Sequence, residues 1–306
     1  MGIKVLSLFD GISCGMVALE RAGIKVDEYY ASEIDKYAIK VSEKNYPNIK
    51  HIGDVTKVKG RDLPKIDLLI GGSPCQGLSS SNVYLKDGEY GVNGTGKSRL
   101  FWEYVRAFKT IKPKYFLFEN VASMRKEDIK IITEQLGVQP VKIDSILFSA
   151  QIRRRLYWTN IPINVPLERQ TDIKLENILQ TELALDRYYL KEGTVKYILS
   201  QGTGGWRSGN LQINPTFSRP VVASCWKMHR ADTDTYISTT HQPQNRTNIR
   251  KLTPLECERL QTLPDNYTFL ENINSISKLD KIRYECIGNG WTVDVIVHIF
   301  KNMEVK

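Results

Sequence analysis

Cys75 is the residue of this 306-residue chain best set to act as a nucleophile. It sits in Gly71-Gly72-Ser73-Pro74-Cys75-Gln76-Gly77, directly after the apolar run Asp67-Leu68-Leu69-Ile70, so the pattern places it just past a strand end. Open α/β sheets gather their ligands at that edge. A cysteine outside a disulfide is usually a small buried hydrophobe. The Gly, Ser, Pro and Gln around Cys75 oppose burial and favour an exposed, positioned thiol. Glu119, in Glu119-Asn120-Val121, closes the apolar run Tyr115-Phe116-Leu117-Phe118, which in a parallel sheet ends on the same edge. A carboxyl group there is partly desolvated and suited to donating a proton, although a Glu capping the next helix would give the same pattern. In Gln151-Ile152-Arg153-Arg154-Arg155-Leu156-Tyr157, strand alternation puts Gln151, Arg153 and Arg155 on one face. An edge strand with solvated arginines would show that alternation too.

Three other features could serve a nucleotide-like ligand. Phe9-Asp10-Gly11-Ile12-Ser13-Cys14-Gly15 follows the first strand and opens the first helix, where glycine allows a tight turn beneath such a ligand; an ordinary strand-to-helix turn explains it equally well. Glu33 falls just after the second strand, where such folds place a carboxylate on ribose hydroxyls. Asp54, in Gly53-Asp54-Val55, could accept from an exocyclic amine. Either acid taken singly also suits a loop surface or a helix cap.

The elements that must position these residues follow an alternating pattern. Strands are expected at Lys4–Phe9, Glu28–Ala31, Asp67–Gly71, Tyr115–Phe118 and Val141–Leu147. Helices are expected at Ser13–Ala22, Lys36–Asn45, Leu100–Ile111 and Glu127–Leu136, where apolar residues return every three or four positions. This alternation predicts an α/β, doubly wound sheet with helices on both faces. The stretch Ser73–Ser98 interrupts it with a long loop rich in Gly, Ser and Asn, and long loops inside compact domains are functional or disordered. Beyond Asn160 the alternation fades, and a second, smaller, irregular and β-rich module is expected over 161–248. Helical patterning resumes at Thr253–Thr262, where Thr253-Pro254-Leu255-Glu256 reads as an N-cap, a first-turn proline and a capping Glu, and the chain closes on an apolar helix at Val293–Phe300.

Composition narrows the function classes. Hydrophobic residues at 41% and charged residues at 25% argue against disorder and fibrous repeats. Apolar runs such as Val5–Phe9 are far too short to span a bilayer, and the amino terminus lacks a signal-peptide pattern, so a cytoplasmic protein is expected. The five cysteines are scattered with no Cys-x-x-Cys pair, which argues against zinc and structural disulfides; no metal is expected. A net charge of +9 suits a polyanionic partner, though many basic proteins never touch nucleic acid.

Taken in order, these motifs closely resemble those of the DNA (cytosine-5) methyltransferase family, and the resemblance covers nearly the whole chain. The matching elements are Phe9-Asp10-Gly11, Glu33, Gly53-Asp54, Pro74-Cys75-Gln76, Glu119-Asn120-Val121 and Gln151-Ile152-Arg153-Arg154-Arg155. A variable region at 161–248, then Arg250-Lys251-Leu252-Thr253-Pro254-Leu255-Glu256 and Gly288-Asn289-Gly290, complete the order. One departure lies in the first motif, where many bacterial members have Phe-x-Gly-x-Gly-Gly and this chain has Ser13-Cys14 at the last two positions. That wording is nearer the animal de novo branch, whereas Pro-Cys-Gln follows the bacterial one. The departure is expected to alter backbone contacts to the cofactor only slightly.

The resemblance implies a Rossmann-like class I methyltransferase with a discontinuous catalytic domain, 1–160 and 249–306, and a target-recognition domain at 161–248. It implies catalysis by Cys75 and Glu119 with Arg153 or Arg155, acting on a flipped-out cytosine of double-stranded DNA. S-adenosyl-L-methionine, leaving as S-adenosyl-L-homocysteine, would be held by Phe9, Asp10, Gly11, Gly15, Glu33, Ile34, Asp54, Val55, Pro74, Asn289, Trp291 and Thr292. DNA would be met by Gln76, Ser79, Ser80, Ser81 and Asn82 beside the nucleophile, and by Arg207, Arg219, Lys227, Arg230 and Arg246 in the recognition module; a solvated charge is the commoner fate of any one of these basic residues. A monomer in a bacterial or phage-infected cell, associated with the nucleoid and paired with a cognate restriction enzyme, fits that family. Two alternatives stay open: methylation of transfer RNA by the same thiolate route, and a catalytically silent DNA-binding relative.

Overall fold

The computed structural model describes residues 2–79, 86, 88–201, 211–227, 230–231 and 233–304. It divides into two compact units, the first comprising Met1–Asp144, Arg154–Pro166 and Val295–Lys306, the second Ser145–Arg153 and Leu167–Asp294. The chain thus changes unit at points other than 160 and 249. Ser145–Arg153 joins the second unit because Gln151 is wholly buried there, its amide donating to Leu260 O at 3.1 Å and its carbonyl accepting from Val221 N at 2.6 Å.

The first unit is built on strands β1 (Ile3–Leu8), β2 (Val26–Ser32), β3 (Lys50–His51), β4 (Leu68–Gly71), β5 (Tyr115–Val121), β6 (Val141–Asp144) and β7 (Arg154–Thr159). Helices α1 (Cys14–Arg21), α2 (Lys36–Asn45), α3 (Phe101–Ile111) and α4 (Lys126–Leu136) connect them. The sheet order is β3-β2-β1-β4-β5-β7-β6, with β1 to β5 parallel and β7 antiparallel to both of its neighbours. The alternating pattern therefore folds as a doubly wound sheet, and the antiparallel β7 is the element it did not reveal. The reversal follows from the short Ser145–Arg153 connection, since a parallel return needs a crossover of about a dozen residues or more.

The elements start and stop for local reasons. Asp35 caps α2 by accepting from Tyr37 N and Ala38 N, and α4 ends at Gly137 in the left-handed conformation. Strands β1 and β4 are buried almost throughout, as central parallel strands must be. Between the sheet and α3, Phe118 packs against Phe101, Tyr104 and Trp158 with ring centroids 5.3, 4.8 and 5.8 Å away. Each such aromatic contributes roughly 2–3 kcal/mol by burial, which rigidly fixes the strand carrying Glu119.

In the second unit the described residues form α5 (Leu175–Ile178), α6 (Glu192–Gln201), α7 (Pro254–Leu260) and α8 (Ile276–Asn289), with a small sheet ordered β10-β9-β8 from β8 (Gln212–Ile213), β9 (Thr235–Ser238) and β10 (Ile249–Lys251). The module is irregular as expected, but helices outweigh its short strands. Pro215, Pro220 and Pro243 break the runs that longer strands would need. The Thr253 cap forms as the sequence indicates: Thr253 N donates to Glu256 Oε2 at 2.8 Å and Glu256 N to Thr253 Oγ1 at 3.3 Å. Helix α9 (Val293–Phe300) carries the chain back to the first unit. Among the described residues no helix is long and apolar enough to cross a membrane.

Candidate active site

Strand order places the functional loops of the first unit. The chain runs outward from β1 to β2 and β3 on one side and to β4 and β5 on the other, so the switch point lies between the loops that follow β1 and β4. In doubly wound sheets that crevice, at the carboxyl ends of the strands, receives the ligand. The loop after β1 holds Phe9–Gly15, and the loop after β4 holds Pro74 and Cys75.

The first loop is conformationally unusual, with three residues at positive φ: Phe9 at 57°, Gly11 at 59° and Ser13 at 60°. Side chains hold it there. Ser13 Oγ donates to Asp10 Oδ2 at 2.5 Å and lies 2.6 Å from Ser42 Oγ, while Tyr29 OH donates to Asp10 Oδ1 at 2.7 Å. Burial pushes the Asp10 carboxyl above the usual carboxylate range, and the Ser13 bond opposes that shift. Asp10 therefore shapes the turn with its side chain. Its two hydroxyl contacts explain how Ser13 occupies a left-handed position. Gly15 is buried in the first turn of α1.

Glu33 and Asp54 sit side by side, because Ser32 Oγ donates to Gly53 O at 2.7 Å across the ends of β2 and β3. Glu33 Oε1 accepts from Ile34 N at 2.8 Å and Asp35 N at 2.9 Å, and Oε2 from Gly11 N at 2.8 Å. Oε2 thus retains a lone pair for a hydroxyl group. Asp54 takes Thr56 N and Thr56 Oγ1 on Oδ1, both at 2.9 Å; the Thr56 backbone N–H is the main cause holding its carboxyl below the usual range. Ile34 is 75% exposed, an apolar side chain open to solvent beside two acids, and Val55 is buried beneath. Such an edge could receive a nucleoside, with Glu33 available to hydroxyl groups, Ile34 to an aromatic face and Asp54 to an amine.

Cys75 is half-buried and the other four cysteines are buried. It opens a tight turn in which Leu78 N and Ser79 N both donate to Cys75 O at 2.9 Å, with Gln76 exposed and Ser79 half-buried beside it. Gly71 pairs with Phe118, so Glu119 lies level with the start of the Cys75 loop. Glu119 is buried within β5, opposite Tyr157 of β7. Arg155 pairs with Val121, one diagonal step away on the same face, and its Nε reaches Glu119 Oε1 at 2.9 Å. Asn120 had no role in the sequence reading beyond its motif, yet its Nδ2 donates to Ser73 O at 3.1 Å and so ties β5 to the Cys75 loop. A polar residue at the end of an otherwise apolar strand was the available signal.

Gln151 and Arg153 lie ahead of the strand that carries Arg155. Strand β7 begins only at Arg154, and both residues belong to the second unit. Arg153 is 4% exposed, and its guanidinium donates to Val221 O at 2.7 Å, Gly288 O at 3.2 Å and Gly290 O at 3.0 Å. These bonds occupy it structurally and leave Arg155 as the arginine brought to Glu119. Asn289, Trp291 and Thr292 also lie in or beside this second unit's buried network; Asn289 is exposed, Trp291 half-buried, and Thr292 Oγ1 donates to Gln261 Oε1 at 2.8 Å. Arg250 and Glu256 form a buried bidentate pair at 2.7 and 2.8 Å, so that motif has a structural use. Arg219 directs its guanidinium to the carbonyls of Ala231 and Asp234, and Arg246 to Tyr189 O at 3.1 Å, whereas Lys227 and Arg230 are exposed. Ser80, Ser81, Asn82 and Arg207 lie outside the described residues.

Known proteins resemble this chain in sequence and in fold. The profile of the family described as C-5 cytosine-specific DNA methylase matches residues 3–139 and 150–305. The type II methyltransferase M1.ScrFI of Lactococcus lactis subsp. cremoris is 28% identical, over 98% of this chain and 77% of its own. The type II methyltransferase M.NlaX of Neisseria lactamica is 27% identical, over 98% of this chain and 96% of its own. Among solved structures, the Entamoeba histolytica methyltransferase EhMeth superposes with a TM-score of 0.76 at 17% identity, covering 99% of this chain and 98% of that one. The S. pombe Dnmt2 methyltransferase gives 0.71 at 17% identity, covering 97% of each chain. At such identities the structural likeness shows the fold alone.

Proposed function

The chain belongs to the C-5 cytosine-specific DNA methylase family, and from that membership we propose that it methylates a flipped-out cytosine of double-stranded DNA through a covalent bond from Cys75 to carbon 6. The observation that carries the mechanism is the Glu119–Arg155 pair, held at 2.9 Å on the sheet edge where the Cys75 loop begins. A carboxyl and a guanidinium side by side match the adjacent N3 and O2 of cytosine.

Carbon 5 of cytosine is a weak nucleophile until something adds to carbon 6. The Cys75 thiolate forms that bond, while Glu119 passes a proton to N3 and Arg155 holds O2, so negative charge does not accumulate on the ring. The electron pair is thereby delivered to carbon 5. S-adenosylmethionine supplies the electrophilic methyl group. Loss of the carbon 5 proton to a base then expels the Cys75 thiolate, and Glu119 recovers its proton from N3. Phe9, Gly11, Gly15, Glu33, Ile34, Asp54, Val55 and Pro74 are proposed to hold the cofactor on the first unit, Asp10 through its hold on the turn; Asn289, Trp291 and Thr292 are proposed as cofactor residues from the family motif alone.

The base must leave the stack for this chemistry, at a cost of a few kcal/mol. Gln76 and Ser79, with Ser80, Ser81 and Asn82, are proposed to face the space it vacates. The second unit is proposed to recognise the target, with exposed Lys227 and Arg230 on phosphates and Arg207 added to them. Arg219 and Arg246 shape that surface through their carbonyl contacts. The protein is proposed to act as a monomer, in the company of a restriction enzyme.

Methyl transfer from labelled S-adenosylmethionine to duplex DNA and to transfer RNA, side by side, tests the substrate. Transfer to the duplex alone is expected. Transfer to RNA alone would replace the substrate, and none to either would favour a silent relative. Bisulfite sequencing of DNA from expressing cells then gives the site.

A further inference from the structure

We propose that Ser98 is a positioning residue for Cys75, splinting the turn that carries the nucleophile. Ser98 is wholly buried, and its hydroxyl does two things: Oγ donates to Pro74 O at 2.9 Å and accepts from Gly77 N at 2.9 Å. These two backbone groups flank Cys75 and Gln76, so one side-chain oxygen closes the segment across the reactive residue. The Gly77 bond is buried and the Pro74 bond part-buried, and in such a setting an unmade hydrogen bond is costly and the bonded geometry is enforced.

The splint is itself held rigidly. Ser98 lies in a helical turn, Lys97–Leu100, that runs straight into α3, whose Phe101 and Tyr104 are fully buried in the core beside β4 and β5. The position of Cys75 is thereby referred to the core and not to the loop alone. Gly77 completes the device. A Cβ there would lie 2.9 Å from Ser98 Oγ and 2.9 Å from Glu89 O, so only glycine permits this approach. On the other side Gly91 N donates to Gly77 O at 2.8 Å, which joins the turn to the returning arm of the long loop. Asn120 fixes Ser73 from β5, and Ser98 fixes Pro74 and Gly77 from the turn that leads into α3. Ser98 and Asn120 act through backbone groups of the loop. Their effect is to keep the sulfur at one place relative to Glu119.

This inference rests on Cys75 being the nucleophile, and the test separates the two. Steady-state methylation of duplex DNA is measured for the full-length protein, Ser98→Ala and Cys75→Ser, together with thermal melting and the single-turnover rate of adduct formation on 5-fluorocytosine DNA. Ser98→Ala is expected to melt cooperatively and to lose about tenfold or more in kcat, since a small misplacement of a reacting group has that scale of effect. KM for DNA and for S-adenosylmethionine should stay within about twofold, and adduct formation should slow by the same factor as kcat, because a misplaced sulfur slows the chemical step and leaves binding alone. A folded Ser98→Ala protein with kcat within twofold of the parent, or a loss confined to KM, would overturn the proposal. Should Ser98→Ala not fold, Ser98→Cys, with its weaker hydrogen bonds, carries the test in reducing buffer: kcat reduced severalfold at constant KM supports the splint, and unchanged kcat rejects it. Turnover retained in Cys75→Ser would instead reject the nucleophile itself.

Discussion

Replacing Ser13 by alanine and by glycine dissects how the cofactor loop is held. Ser13 has φ 60°, a left-handed conformation that costs an L-residue about 1–2 kcal/mol. Its hydroxyl compensates through contacts to Asp10 at 2.5 Å and to Ser42 at 2.6 Å, each worth about 1 kcal/mol. Alanine loses both bonds and keeps the strain, so destabilisation of about 2 kcal/mol is expected. Glycine loses the same bonds but relieves the strain, at an entropic cost of about 0.5–1 kcal/mol in the unfolded chain. Its net loss should be nearer 1 kcal/mol. Glycine should therefore be more stable than alanine by about 0.5–1 kcal/mol, the reverse of the order inside an ordinary helix. Urea unfolding of the three proteins, with equal m-values, reads the difference directly. An alanine variant as stable as the glycine variant would refute the reasoning, because the left-handed strain would then be no larger than glycine's entropic cost of about 0.5–1 kcal/mol.

Cysteine reactivity should be selective. Burial pushes the Cys225 thiol up to about 12 and the Cys257 thiol well above its usual value, and Cys14 and Cys286 are buried, so brief iodoacetamide treatment of the native protein at pH 8 should label Cys75 first; peptide mapping that finds another cysteine labelled first would count against this. The two arginines should separate by assay. Arg155→Gln is expected to lower kcat about 100-fold with little change in melting, whereas Arg153→Gln, which takes the guanidinium from the carbonyls of Val221, Gly288 and Gly290, should lower stability by about 3 kcal/mol. Equal effects of the two on turnover in folded protein would contradict the assignment.

Much of the first unit was legible because its strands and helices are regular and its ligand-bearing loops follow strand ends. Helix α2 was read to the residue, since Asp35 caps it and its apolar face is continuous. The reversal of β7 was not legible, because it depends on the length of a connection and not on the pattern of Arg154–Thr159 itself. Helix α8 was missed for a different reason. Its buried face includes Asp280, bonded to Arg187 and Tyr188, and Arg283, bonded to Glu258, so charges interrupt the apolar period. In the site, Cys75, Glu33 and Glu119 were visible as chemical groups at strand ends. Ser98 and Asn120 were not, because their task is to satisfy backbone groups of Ser73, Pro74 and Gly77 that sequence spacing does not bring near them. Gln151 and Arg153 show the complementary case: polar side chains in a strand-like alternation are buried and bonded to backbone carbonyls.

The central claim concerns a bond between one sulfur and a pyrimidine carbon, and intact-mass analysis can observe it. The protein is incubated with S-adenosylmethionine and amplified duplex DNA in which every cytosine is 5-fluorocytosine, then digested and mapped. Fluorine cannot leave as a proton does, so the predicted result is a stable protein–DNA species with the nucleotide on the peptide containing Cys75. Efficient methylation of ordinary duplex with no such species, or a nucleotide attached elsewhere, would contradict the account.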